Sequence, residues 1–201
     1  VFPTKIELKD SFDYRQLLIT GRGPTGEGVD LTRAAALSTS ADILAISDIR
    51  LARPKANGSA ELTVTYGKLS AKIPVTVAGY EKPRDVSYVQ DVMPILAKGG
   101  CNSGTCHGAQ QGKNGFQLSL RGYDPLFDYQ ALTDDLHGRR FNRSAPSHSL
   151  MLMKPAGEVP HLGGVVFRAG DPHYEVLKSW IAAGVKIDLE KPRVTKLSLI
   201  H

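Results

Sequence analysis

With 201 residues, a 41% hydrophobic fraction and 22% charged residues, the chain is long enough for one large or two small domains with real cores, and two are expected. Its net charge of +5, from 25 basic and 20 acidic side chains, is a mild and dispersed excess; no basic run interleaved with aromatics points to nucleic acid. Nowhere do about 18 apolar residues follow one another, so no segment is expected to span a bilayer. The chain opens Val1-Phe2-Pro3, without an initiator Met, a basic leader or an apolar stretch. It is expected to be a segment of a longer protein whose targeting signal has been removed.

From Thr4 to about Tyr80, short apolar and β-branched runs alternate with turn residues. The runs are 5–8, 15–20, 31–38, 43–47, 61–66 and 71–78, separated by Gly21-Arg22-Gly23-Pro24, Thr25-Gly26-Glu27-Gly28 and Ala56-Asn57-Gly58-Ser59. Ala60 to Thr65 alternates with period two. This spacing predicts an antiparallel β-sandwich. Thr4-Lys5-Ile6-Glu7-Leu8, Asp30-Leu31-Thr32 and Ala71-Lys72-Ile73-Pro74-Val75-Thr76-Val77 resemble a bacterial immunoglobulin-like domain of group 2, which implies an all-β immunoglobulin-like sandwich over residues 1–81.

Glu81-Lys82-Pro83-Arg84 reads as a linker, and beyond it the hydrophobic period becomes helical. Val89, Val92, Met93 and Leu96 share a face of a helix reaching Lys98, with Pro94 as a kink or restart and Gly99-Gly100 as its end. A second helix is predicted from Asp124 as N-cap and Pro125 at its first position, with Leu126, Tyr129, Leu132 and Leu136 as its stripe and Gly138 as terminator. A third begins at Asp171 and Pro172, buries Val176, Leu177, Trp180 and Ile181, and stops at Gly184. Residues 85–190 are therefore expected to form a mainly α domain. Val194-Thr195-Lys196-Leu197-Ser198-Leu199 echoes Pro3-Thr4-Lys5-Ile6-Glu7-Leu8, so residues 191–201 are expected to be a linker or the start of a following module.

The chemistry is concentrated in Cys101-Asn102-Ser103-Gly104-Thr105-Cys106-His107, the chain's two cysteines followed by a histidine. Haem attachment in c-type cytochromes uses two cysteines and an adjacent histidine, ordinarily with two residues between the thiols. Here there are four. Positions five apart on a helix diverge by about 140°, so the insert must loop out for both thiols to meet one ring, and Gly104 with Gly99 and Gly100 supplies the freedom. A disulfide closing this small loop, a zinc site, and two unrelated buried thiols are the alternatives.

Asp91-Val92-Met93-Pro94-Ile95-Leu96, the Cys101 to Gly108 run, Ser149-Leu150, and Leu177 to Ile181 with Gly184 resemble planctomycete-type cytochrome c domains over about residues 85–187. That resemblance implies one covalent haem c held by Cys101 and Cys106, with His107 as the proximal iron ligand. It also implies an exported, periplasmic or cell-surface protein that exchanges electrons with a redox partner protein or domain. Many members carry a Met-Pro-Pro loop whose Met is the sixth ligand; here the stretch reads Val159-Pro160-His161.

His161, between Pro160 and Gly163-Gly164, is the expected distal ligand, with Met153 and Met151 as alternatives inside an apolar run. Arg139 and Arg140, with Arg143, are candidates for an anionic group such as a haem propionate. Trp180 could pack on the ring or simply anchor a buried helix, and Phe116, Tyr123 and Tyr129 are expected to line an apolar pocket. No Ser-His-Asp set or carboxylate pair marks a hydrolase, so no catalysis beyond electron transfer is expected of this segment. A scaffold or adhesion protein with a structural or gas-sensing haem, and a non-haem metal-binding module, are the rival functions.

Overall fold

The computed structural model describes residues 1–191 and 196, and the chain divides into two units, Val1–Arg84 and Asp85–His201. The repeat at Val194–Leu199, and with it the predicted start of a following module, lies outside the described residues apart from Lys196 and Lys191.

Nine strands build the first unit: β1 (Ile6–Leu8), β2 (Arg15–Gln16), β3 (Thr20–Arg22), β4 (Gly28–Asp30), β5 (Ala36–Thr39), β6 (Leu44–Ile46), β7 (Leu51–Pro54), β8 (Gly58–Tyr66) and β9 (Leu69–Val77). The longest are β8 and β9, which pair in register from Gly58↔Val77 to Tyr66↔Leu69 around Gly67, whose φ of +58° suits the two-residue loop. Period-two alternation turns Leu62 and Val64 of β8, and Ile73, Val75 and Val77 of β9, to one face. There they pack with Ile6, Leu8, Leu17, Ile19, Ile43 and Leu44 into a continuous core.

Four-stranded (β1-β9-β8-β5), three-stranded (β2-β7-β6) and two-stranded (β3-β4) sheets result. Two features depart from the predicted antiparallel sandwich. β1 lies parallel to β9, and β4 and β7 occupy segments expected to be turn or linking chain. Conversely, Leu31 to Ala35 is a turn region, held by Thr32 Oγ1 accepting from the Ile19 amide and by the Thr32 amide donating to Asp30 Oδ1.

The second unit corrects the expected fold class more strongly, because it is not mainly α. Its α-helices are α1 (Met93–Lys98), α2 (Pro125–Thr133), α3 (Leu150–Ala156) and α4 (Pro172–Ala182), of 6, 9, 7 and 11 residues. Short 3-10 turns and long irregular stretches join them. Glycines in left-handed backbone at 100, 112, 115, 122, 138, 157, 164 and 170 interrupt propagation, and pieces this short hold their shape through packing rather than through helix propensity.

The start is a π-helical turn, Tyr88–Val92, with Ser87 Oγ accepting from the Gln90 amide and Asp91 accepting from the Ser87 amide. It runs directly into α1, so Pro94 marks a restart. In α2 Asp124 caps as expected, but the buried residues are Pro125, Asp128, Ala131 and Leu132; Leu126 and Leu136 are exposed. α4 buries Val176, Leu177, Trp180 and Ile181, as its stripe predicts. Asp171, however, turns its carboxylate back to the Arg168 amide at 2.6 Å rather than capping α4.

Candidate functional site

α1 ends one residue before Gly99, and the backbone then folds through a series of tight turns. The Cys101 amide donates to Leu96 O (2.9 Å), the Cys106 amide to Ser103 O (3.0 Å), and the His107 amide back to Cys101 O (2.9 Å). The four inserted residues are thus turns and not helix, and they close on themselves. Asn102 is 3% exposed, and its carbonyl accepts from the Arg121 amide at 2.9 Å. Gly108 passes so near that a Cβ there would stand 2.1 Å from Asn102 O, so only glycine permits this closure.

Cys101 and Cys106 are both free and partly buried; the disulfide alternative is not the state of this structure. Burial, seconded by the neighbouring Cys106, pushes the Cys101 thiol up to about 11, so it is a neutral thiol at ordinary pH.

His107 is held from two sides. Its Nδ1 stands 3.0 Å from Phe116 O, and its ring lies 4.4 Å from the Phe116 ring at a 47° tilt. A carbonyl only accepts, so Nδ1 carries the proton and Nε2 keeps a free lone pair. Burial holds the imidazole below its usual range; the bond to Phe116 opposes this, and the charges of His161, Arg140 and Lys154 reinforce it.

His161 repeats the arrangement. Its Nδ1 lies 3.0 Å from Gly164 O, and the Gly164 amide donates to His161 O at 3.0 Å, so this ring too presents Nε2. The loop beyond it passes Cys101: a Cβ placed on Gly99 would meet Val166 Cγ1 at 3.0 Å and Cys101 Sγ at 3.5 Å. Amides of Val166 and Phe167 donate to Pro155 O, fastening this loop to the end of α3. Lys154, on α3, donates to Pro160 O at 3.3 Å.

The arginine cluster divides. Arg140 is 8% exposed, donates to Asp135 O at 3.0 Å, and sets its guanidinium carbon 4.0 Å from the Phe116 ring centroid. Arg139 and Arg143 instead border a groove of about 900 Å³ with Thr133, Asp134, Asn142 and His148. Trp180 is an anchor of the core: fully buried, stacked on Tyr88 at 5.6 Å, with Nε1 donating to Lys186 O at 2.8 Å.

Of the expected apolar lining, Phe116 lies against His107, Tyr129 packs on Tyr88 and donates to Val185 O, and Tyr123 is 78% exposed. Met151 and Met153 are half-buried on α3.

Sequence reasoning missed the Phe116 carbonyl, the buried Asn102 and the Ser119–Asp128 pair. Asp128 is 1% exposed and accepts from both the amide and the hydroxyl of Ser119, the latter at 2.9 Å. Among the described residues no group of three or more His, Cys, Asp or Glu is placed to hold a metal ion. Compared with known proteins, the chain matches no family model and no curated protein. No helix among the described residues is long and apolar enough to cross a membrane.

Proposed function

We propose that the Asp85–His201 unit is a haem c redox module of an exported protein, with thioethers to Cys101 and Cys106, His107 as proximal ligand and His161 as distal ligand. One observation supports this: both imidazoles have Nδ1 tied to a backbone carbonyl, at Phe116 and Gly164, which leaves both Nε2 lone pairs open, on a chain whose two cysteines are both free. Haem iron in such a set exchanges single electrons. The chain's part is to fix the tautomer of both rings, to hold the stretch between the thiols in a closed turn, and to half-bury His107. The partner is a redox protein or a further domain, and the resemblance to planctomycete-type cytochromes supports the same assignment.

A second function has its own support. The loop carrying His161 is open to solvent, with Leu162 96% and Val165 51% exposed, so a sixth ligand held there could be displaced by carbon monoxide in a gas sensor. The test is export of the protein alongside a haem-attachment system. A haem-sized increase in intact mass and a pyridine haemochrome spectrum are expected, and a mass equal to the bare polypeptide overturns the proposal. Rapid carbon monoxide binding to the reduced protein would select the sensor.

A further inference from the structure

Lys113 and Phe116 form an antiparallel bridge, the Lys113 amide donating to Phe116 O at 2.9 Å and the Phe116 amide to Lys113 O at 3.0 Å. Only Asn114 and Gly115 lie between them, with φ of +50° and +74°. Two left-handed residues closing a two-residue hairpin make a type I′ turn, the setting that Asn-Gly suits best. The Phe116 carbonyl is shared: it closes this turn and also takes the Nδ1–H of His107. The tautomer of His107 thus depends on a hairpin tip.

Asn114 and Gly115 are both open to solvent, and a Cβ on Gly115 would meet no atom within 4 Å. Among the described residues the Asn114 side chain makes no hydrogen bond, and the Gly115 amide donates to no backbone carbonyl. An electrophilic side-chain carbon is therefore followed by a free backbone nitrogen, with no side chain on the glycine to hinder their approach. We infer that Asn114 is a site of spontaneous deamidation, and that its isoaspartyl product loosens the turn whose carbonyl orients His107. The Gly115 nitrogen attacks Asn114 Cγ; a C–N bond forms there as the bond from Cγ to the side-chain nitrogen breaks. Solvent relays the Gly115 amide proton to the leaving group, which departs as ammonia. The cyclic imide then takes up one water. Opening at one carbonyl gives an aspartate at position 114 on a normal backbone. Opening at the other routes the chain through Cγ, an isoaspartyl link with one extra backbone atom. A two-residue type I′ loop has no place for that atom, so the Lys113–Phe116 pairing cannot close as before. Nothing in this chemistry requires haem.

The chain's other Asn-Gly pair, Asn57-Gly58, serves as an internal control. Asn57 Oδ1 accepts from the Tyr80 amide at 2.8 Å, and Gly58 opens β8 opposite Val77. The experiment ages the full chain in mildly alkaline buffer at physiological temperature, followed by peptide mapping that separates asparaginyl, aspartyl and isoaspartyl forms. Conversion is expected to run at least about tenfold faster at Asn114 than at Asn57, which must first give up a hydrogen bond. Asn114→Gly, which suits the positive φ, is expected to remove most of the released ammonia. Amide hydrogen exchange across residues 107–118 is expected to quicken in the isoaspartyl form. Freshly prepared Asn114→Asp, which carries the charge without the extra backbone atom, is expected to exchange like wild type.

An intact Asn114 under conditions that convert a free Lys-Asn-Gly-Phe peptide overturns the inference, as do equal rates at Asn57 and Asn114, which would remove any selection by the fold. Unchanged exchange in the isoaspartyl form overturns the link to His107. Equally quickened exchange in Asn114→Asp overturns it too, by assigning the effect to charge.

Discussion

His107 and His161, both half-buried, share one device, a backbone carbonyl that chooses the protonated nitrogen. Under the proposed haem assignment, His161→Ala is expected to turn a low-spin haem spectrum high-spin, whereas Met153→Leu leaves it unchanged; the opposite pattern would move the sixth ligand to α3. Asp128 yields a prediction independent of haem. Burial raises its carboxyl above the ordinary 3.8, against the hydrogen bonds from Ser119 that lower it. A group that holds its proton more tightly folded than unfolded stabilises the fold below both pKa values and loses that contribution as pH rises. The stability of wild type minus that of Asp128→Asn should therefore fall between about pH 3 and about pH 7 by chemical denaturation, and a rise would contradict the burial argument. That the four residues between Cys101 and Cys106 leave helical geometry could be read from the sequence, because Gly99, Gly100 and Gly104 mark the turns. The acceptors at Phe116 and Gly164 could not, since any residue supplies a carbonyl and only the folded loop aims it.

At the scale of the element, α2 shows how a stripe misleads. Leu126, Tyr129, Leu132 and Leu136 fall at helical spacing, yet α2 buries Pro125, Asp128, Ala131 and Leu132. The polar Asp128 is affordable inside because Ser119, nine residues earlier, satisfies it twice, and no period in α2 reveals that partner. Helix geometry ends at Thr133, and Leu136 follows in left-handed backbone at φ +53°, outside the stripe altogether. Leu132→Ala is expected to cost about 2–5 kcal/mol, whereas Leu126→Gln, at a side chain 47% exposed, is expected to stay within about 0.5 kcal/mol. Equal losses in urea titrations would restore the stripe. α4 was legible because its pattern had no such competitor: Val176, Leu177, Trp180 and Ile181 are all apolar and all buried. The mainly α expectation failed for a reason visible in the glycines, which were counted as helix ends and turn formers but not as a limit on how far any helix could run.

For the molecule as a whole, the division at Arg84 matters more than either unit's class. The change from period two to period 3.6 near that point was legible, because a strand and a helix each leave their own imprint on the spacing of apolar residues. Strand partners were not, because pairing β1 in parallel with β9 joins residues about seventy apart through a register that no local pattern specifies. Yet that pairing has a consequence for folding. It ties the first strand to the last within Val1–Arg84, and every member of the core containing Ile6, Leu62, Ile73 and Val75 lies inside the same span. A fragment of residues 1–84 thus carries both its apolar core and the strand that closes its sheet. It is expected to give a β-type circular dichroism spectrum and a single cooperative urea transition. Removing residues 1–8 should abolish that transition, because β9 would lose its parallel neighbour and the core would lose Ile6 and Leu8, which are each 1% exposed. A gradual, non-cooperative loss of signal in the 1–84 fragment would mean that its core needs residues beyond Arg84 to fold.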